Sequence, residues 1–190
     1  MKTIKYLSLI LIILASVLVI GVNGCQEKTG FNETGTVEEI ETAEPVEGWR
    51  DVELKDVLTG DTFKITDFKD KPVLLESFAV WCPTCRKQQD KIKGLHEEIG
   101  DDFVSISLDT DPNEDENKVI EYLNRTGFDW IYAISPSDVT QRLIDEFGVG
   151  VINAPTAPVV LICPGDEQRA RLLKRGVKSP DELKASLATC

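Results

Sequence analysis

Histidine is nearly missing from this chain, with His96 the only one among 190 residues. A structural zinc site needs four ligands, normally supplied as two Cys or His pairs. Cys82 and Cys85 form one such pair, but His96 stands alone. Cys163 and Cys190 are too far apart to read as a second knuckle, so no metal is expected. Basic charge is also scarce: 21 Lys and Arg stand against 33 Asp and Glu, a net charge of −12. That balance repels phosphates and anionic headgroups, which argues against nucleic-acid partners and electrostatic docking on a lipid surface. Neither a Gly-rich dinucleotide fingerprint nor a flavin or haem motif occurs, so no cofactor is expected, and no internal repeat is present.

Charge is absent altogether from Tyr6 to Val22, a run that follows Lys2 and Lys5. The pattern is that of a secretory signal or a short membrane span. Either one exports the remainder of the chain and leaves the positive residues in the cytoplasm. Val22-Asn23-Gly24-Cys25 resembles a lipobox, in which the cysteine receives lipid and becomes the new N-terminus, although Asn23 replaces the small residue usual there. Residues 1–25 are therefore assigned to a signal or membrane anchor, with Cys25 as the lipidation candidate; an uncleaved anchor or a free Cys25 are the alternatives. Residues 26–48 carry seven Glu against one Lys and few large apolar side chains, as in an acidic flexible linker. Asn32 and Asn124 each open an Asn-x-Thr triplet, a glycosylation acceptor only where the host modifies exported proteins.

Residues 49–190 form the globular part. Val52 to Val57 and Thr62 to Ile65, separated by Thr59-Gly60-Asp61, predict a hairpin. Val73 to Val80 is a mostly apolar run suited to a central buried strand. A helix follows from Pro83 to about Ile99, with Ile92, Leu95 and Ile99 on one face and Gly100 as its stop. Phe103 to Leu108 predicts a strand. Asp109 to Glu116 leads into a helix with Val119, Ile120 and Leu123 facing inward. Trp130 to Ile134 reads as a strand and Asp138 to Phe147 as a helix. Val159 to Cys163 and Arg169 to Val177 should pair around Pro164-Gly165-Asp166, and Ser179-Pro180-Asp181-Glu182 should cap a last helix. Strands alternating with helices and ending in a hairpin imply an α/β fold, a mixed sheet with helices on both faces, whose chemistry belongs at strand carboxyl ends.

Trp81-Cys82-Pro83-Thr84-Cys85 lies at such an end. Two cysteines at this spacing can exchange a disulfide reversibly. With Pro83 opening a helix, Cys82 sits at the helix N-terminus, where unpaired N–H groups and the dipole favour a thiolate. Cys82 is thus the attacking sulfur, and Cys85, one turn further, resolves the mixed disulfide. Arg86 and Lys87 follow the pair; they favour the thiolate or merely solvate the helix face.

These features resemble the thioredoxin fold, and more closely its exported TlpA-like branch, which includes the disulfide reductases of cytochrome c maturation. The resemblance spans nearly all of residues 49–190. It rests on Asp56 through Pro72 as an added N-terminal hairpin, on Trp81 through Arg86, and on Gly148 through Thr156 leading into a strand. It implies a three-layer thioredoxin-like fold with a cis Pro155 facing the disulfide, and Pro158 as an ordinary trans proline. Ala154 would then offer its backbone to an incoming peptide, beside Thr156, Trp81, Pro83 and Thr84 on the docking surface. Glu76 occupies the place of the buried thioredoxin aspartate, where the cytochrome branch usually has a neutral residue. Burial would raise its pKa and make it the proton acceptor for Cys85; a Glu pointing to solvent is the alternative. Trp49 and Trp130 read as core or rim residues. Cys163 and Cys190 either pair outside the cytoplasm or remain separate, Cys163 as an inert buried thiol.

The leading expectation is a monomeric thiol-disulfide oxidoreductase anchored at the cell membrane with its catalytic domain on the outer side. It would reduce disulfides in exported proteins and be re-reduced by a membrane electron donor. A peroxiredoxin-like thiol peroxidase is the second reading, disfavoured because Phe78 and Ala79 break the usual approach to a peroxidatic cysteine. A non-catalytic binding module with a purely structural disulfide is the third.

Overall fold

A computed structural model describes residues 48–190. The anchor at 1–25, Cys25, Asn32 and nearly all of the linker at 26–48 lie outside the described residues.

A two-stranded antiparallel hairpin comes first, β1 (Leu54–Lys55) and β2 (Thr62–Phe63). β3 (Val73–Phe78), α1 (Pro83–Ile99), β4 (Val104–Asp109), α2 (Glu116–Thr126), β5 (Ile131–Ile134) and α3 (Ser137–Phe147) then alternate. β6 (Val159–Ile162), β7 (Ala170–Leu172) and α4 (Pro180–Leu187) complete the described chain. The main sheet has the order β5-β4-β3-β6-β7. β3, β4 and β5 are parallel, whereas β6 runs antiparallel to β3 and β7 to β6. The hairpin lies against β5: Val57 N–H donates to Tyr132 O at 2.8 Å and Tyr132 N–H to Asp56 Oδ1 at 3.3 Å. This covers an otherwise open sheet edge.

Strand alternation divides the interior. Val73 and Leu75 of β3, Ile106 and Leu108 of β4, and Val160 and Ile162 of β6 pack against Val139 and Leu143 of α3. On the opposite face Leu74 meets Ile92 and Leu95 of α1 and Leu183 of α4, while Phe78 meets Cys85 and the α2 residues Val119, Tyr122 and Leu123. Helices thus cover both faces, as the alternation of elements predicts.

Several boundaries shift for local reasons. β2 ends early because residues 65–68 form a 3-10 turn, in which Asp67 Oδ2 accepts the Lys64 N–H at 2.7 Å. β3 stops at Phe78, since Val80 N–H leaves the ladder for Glu114 Oε2 at 2.8 Å. Ile120, expected to face inward, is 36% exposed, and Tyr122 fills the α2 face instead. β7 does not reach Val177: Gly176, at φ 95°, turns the chain so that its N–H reaches Thr156 O at 2.8 Å. Ser179 and Glu182 form the expected capping box on α4. Cys163 and Cys190 are disulfide-bonded, and the bridge fastens the end of α4 to the end of β6.

Candidate active site

Between the buried strand β3 and the start of α1 the chain makes a short turn. Cys82 N–H bonds back to Ala79 O at 3.0 Å, closing a turn. Cys82 is the N-cap of α1, and its Sγ accepts the Cys85 N–H at 3.1 Å with Pro83 in the first helical position. That is the arrangement in which a helix N-terminus stabilises a thiolate. Cys82 and Cys85 are joined as a disulfide, their Cα atoms 5.3 Å apart. Both are buried, Cys85 fully, whereas Pro83 is exposed and Thr84 half-buried.

Trp81 projects beside the pair at 59% exposure. Its Nε1–H donates to Asp111 Oδ2 at 2.6 Å, which fixes the ring and holds the Asp111 carboxyl below the usual range. Between Trp81 and Pro155 runs a groove of about 390 Å³ floored by Ala79 and Ala154. Trp81 and Ala154, which line it, flank the disulfide in sequence and in contact respectively.

Pro155 departs from expectation. No cis peptide bond occurs among the described residues, so the Asn153–Thr156 segment is trans throughout. Ala154–Thr156 forms a 3-10 turn with Pro155 near its start, where a fixed φ and a missing N–H are both tolerated. The Ala154 carbonyl also differs from a free docking edge. It accepts the Ala157 N–H at 2.8 Å and lies 3.2 Å from Cys85 Sγ. Pro155 is exposed and lines the groove, whereas Thr156 is half-buried and does not line it.

The α1-facing side of β3 and β4 carries a buried polar layer. Glu76, on β3 between Leu74 and Phe78, is fully buried, which removes the solvent-facing alternative. Ser107 Oγ donates to Glu76 Oε2 at 3.3 Å and accepts from Trp130 Nε1 at 3.0 Å. Gln89 of α1 lies close enough to favour ionised Glu76, although its Nε2 completes no hydrogen bond, and Tyr122 donates its hydroxyl to Gln89 Oε1 at 2.5 Å. Burial outweighs these donors and the attraction of Lys178, so the Glu76 pKa rises from 4.5 to about 8. Lys178 is itself buried, and desolvation lowers its pKa to about 8 against the pull of Glu76. Asp109, at the β4 end, is likewise pushed up to about 8 by burial and by Glu114.

Sequence reasoning missed Lys178, Gln88, Gln89 and Ser107. The glutamines carried a signal, since three and four residues beyond Cys85 is the same helix face. Lys178 carried none, because it follows what reads as a strand and enters the core only through the turn at Gly176.

The comparisons with known proteins come down on one side. The Redoxin family profile matches residues 45–162. The chain belongs to the Redoxin family. Among curated relatives of this Redoxin chain, the thiol-disulfide oxidoreductase ResA of Bacillus thuringiensis is 29% identical over 93 residues, 49% of this chain and 51% of ResA. The thiol:disulfide interchange protein DsbE of Yersinia pestis is 30% identical over 97 residues, 50% of this chain and 47% of DsbE. The chain thus spans about half the length of the curated relatives it matches. A secreted Mycobacterium tuberculosis disulfide oxidoreductase homologous to E. coli DsbE has a TM-score of 0.57 at 12% identity, covering 75% of this chain and 98% of that one. The exposed lipoprotein thioredoxin Etrx1 of Streptococcus pneumoniae gives 0.55 at 24% identity, covering 74% and 99%. These likenesses establish the thioredoxin-like fold. Among the described residues no helix is long and apolar enough to cross a membrane, and no group of three or more His, Cys, Asp or Glu is arranged to hold a metal.

Proposed function

We propose that the chain is a thiol-disulfide oxidoreductase that reduces disulfides in exported proteins. The carrying observation is the Cys82–Cys85 disulfide at the N-terminus of α1, with Cys82 Sγ accepting a backbone N–H beside the exposed Trp81. In the reduced enzyme the Cys82 thiolate attacks one sulfur of a partner disulfide. The partner S–S bond breaks, a Cys82–partner bond forms, and the released partner sulfur takes up a proton. Cys85 then gives its proton to the Glu76 carboxylate and attacks Cys82 Sγ. The Cys82–Cys85 bond forms, the second partner sulfur leaves as a thiolate and is protonated, and two electrons have passed to the partner.

Trp81, Pro83, Thr84 and Thr156 border the docking surface, and Pro155 closes the groove opposite Trp81. The buried Glu76, with its pKa near 8, supports its role as acceptor, because a base titrating near working pH transfers protons efficiently. Export and anchoring through residues 1–25, with lipid on Cys25, agree with the uncharged run and lipobox-like residues and with the secreted and lipoprotein relatives. In this reading an exported reductase takes its electrons from a membrane donor.

Two variants test the roles. Cys82→Ser abolishes reduction of a protein disulfide, whereas Cys85→Ser accumulates mixed disulfides that survive non-reducing electrophoresis. Absence of adducts in Cys85→Ser sinks the attacker and resolver assignment. The reduction potential of the full chain sets direction: about −250 mV or lower marks a reductase, and about −120 mV an oxidant.

A further inference from the structure

A second cavity opens beyond the loop that holds Trp81. The groove of about 390 Å³ beside the disulfide and this neighbouring cavity of about 400 Å³ share Thr110, Asp111, Pro112 and Ile152 in their walls. They adjoin across these residues as one channel, which begins at Trp81 and Ala154 and ends at Ser137, Thr140 and Gln141 of α3. The channel crosses the carboxyl ends of the parallel strands β3, β4 and β5, where α/β sheets place their ligands. Its walls are fixed in advance. Thr110 N–H and Ser135 N–H continue the ladder past the strand ends, to Phe78 O at 3.1 Å and Asp109 O at 2.8 Å. Ile152 belongs to a 3-10 turn anchored by the fully buried Val151.

Most polar groups in the wall of the second cavity are already engaged within the chain. Asp111 accepts from Trp81 Nε1 through Oδ2 at 2.6 Å and from the Asn113 N–H through Oδ1 at 2.9 Å. Glu114 Oε2 accepts the Val80 N–H at 2.8 Å, and the hydroxyls of Ser135 and Thr140 are bonded to each other at 2.7 Å. Gln141 turns its amide to Asp145 at 2.9 Å. What is left for an incoming group is the apolar surface of Pro112, Ile134 and Ile152. An apolar side chain gains by covering that surface, whereas a polar one gives up water for few new partners. The charged residues of the wall, Asp111 and Glu114, are both acidic and repel a carboxylate.

We propose that this second cavity is a specificity subsite for the partner polypeptide, taking a bulky apolar side chain a few residues from the partner's reactive cysteine and excluding an acidic one. The proposal rests on the thiol-disulfide oxidoreductase reading, which brings that cysteine to Cys82 at the other end of the channel. An extended segment advances about 3.3 Å per residue and turns alternate side chains to one face. Laid along the channel past Trp81, it presents one of them to Ile134 and Ile152. Asp111 links the two ends, because the carboxylate that fixes the Trp81 ring also forms the saddle between the cavities. The bonds broken and formed at Cys82 are the same for every partner; the subsite acts on the register in which a partner is held. A rigid wall keeps the ordering cost of that contact low.

The test uses the reduced full chain and short peptides, each with one cysteine joined to thionitrobenzoate. That thiol has a low pKa and leaves readily, so Cys82 bonds to the peptide sulfur and the released thiolate is followed by its absorbance. In an alanine-rich background a leucine is moved one position at a time away from the cysteine on either side, and glutamate takes its place in a second set. At a favoured position leucine raises kcat/KM about tenfold over alanine, while glutamate reacts no faster than alanine. Ser137→Trp fills the cavity from its exposed rim, and Gln141→Trp does so from the next turn of α3 should the first variant not fold. In the filled protein the leucine and alanine peptides react at equal rates. Equal rates at every position in the wild type overturn the subsite while exchange itself proceeds. A leucine preference that survives filling, or glutamate reacting faster than alanine at the favoured position, overturns it as well. If the wild type releases no thionitrobenzoate from any peptide, the oxidoreductase reading itself has failed.

Discussion

The two faces of the central sheet are built from the same strands yet obey different rules. Toward α3, side chains such as Leu75, Ile106, Leu108 and Ile162 make an apolar layer. Toward α1, α2 and α4, the alternate residues of β3 and β4 include Glu76, Ser105, Ser107 and Asp109, all buried. The first layer has no chemistry to perform, and burial of methyl groups stabilises it directly. The second accepts desolvation of carboxylates and an ammonium on the face that carries the disulfide helix, an unfavourable arrangement that persists where charge state matters to function. Stability and redox chemistry are thus assigned to opposite sides of one sheet. Substitutions on the two sides should separate them.

The largest effect belongs to the apolar face. Leu108→Ala leaves a cavity against α3 and costs about 2–5 kcal/mol in denaturant unfolding. The reduction potential of Cys82–Cys85 stays at its wild-type value. A shifted potential would show that the faces are coupled and break the comparison.

The Cys163–Cys190 bridge gives the next effect. It closes a 27-residue separation and fastens α4, which carries Leu183 on the polar side of the sheet. Replacing both cysteines by serine costs about 3 kcal/mol. Hydrogen exchange should rise in α4 and around Lys178 while amides of β4 and α3 keep their protection.

What the sequence made legible follows the same division. The apolar run that begins at Val73, the Pro83 start and Gly100 stop of α1, and the Ser179 capping box all depend on local chemistry, and the central strand, the helix and the cap are found there, the strand ending at Phe78. The CxxC was legible for the same reason, because its two sulfurs lie within one helical turn. Glu76 could be read because it interrupts an apolar run. Lys178 and Ser107 could not, since their meaning comes from residues 102 and 31 positions away, with which only the folded chain brings them together. Pro155 failed differently. A resemblance carried its isomer into the reading, whereas the turn over Ala154–Thr156 accommodates the trans form with Ala157 taking the left-handed conformation.

Glu76 sets the pH response of the polar face. Its folded pKa, about 8, exceeds the ordinary 4.5, so its contribution to stability is complete below about pH 4.5 and is lost as pH rises toward 8. Asp109 acts in the same direction. Lys178, with a lowered pKa near 8, adds pH dependence only above that value. Glu76→Gln therefore flattens part of the decline and stabilises the protein by about 2–4 kcal/mol at pH 8, with little change at pH 4. Resolution of mixed disulfides slows in the same variant. Equal stability at pH 8 would mean that Glu76 is not held neutral by burial.

The smallest effect gives the sharpest contrast, because it compares neighbours on one strand. Ser107 and Leu108 are adjacent in β4 and point to opposite faces. Ser107→Ala removes a donor to Glu76 and an acceptor for Trp130 Nε1, at a cost of about 1 kcal/mol. Leu108→Val removes one buried methylene at a similar cost, about 1 kcal/mol. Stability alone cannot tell these two variants apart. The pH profile of partner release can: losing the Ser107 hydroxyl raises the Glu76 pKa further and moves the inflection upward, whereas Leu108→Val leaves it in place. Equal inflections would show that Ser107 supports only packing, and the polar layer around Glu76 would then have to be narrowed to Gln89 and Lys178.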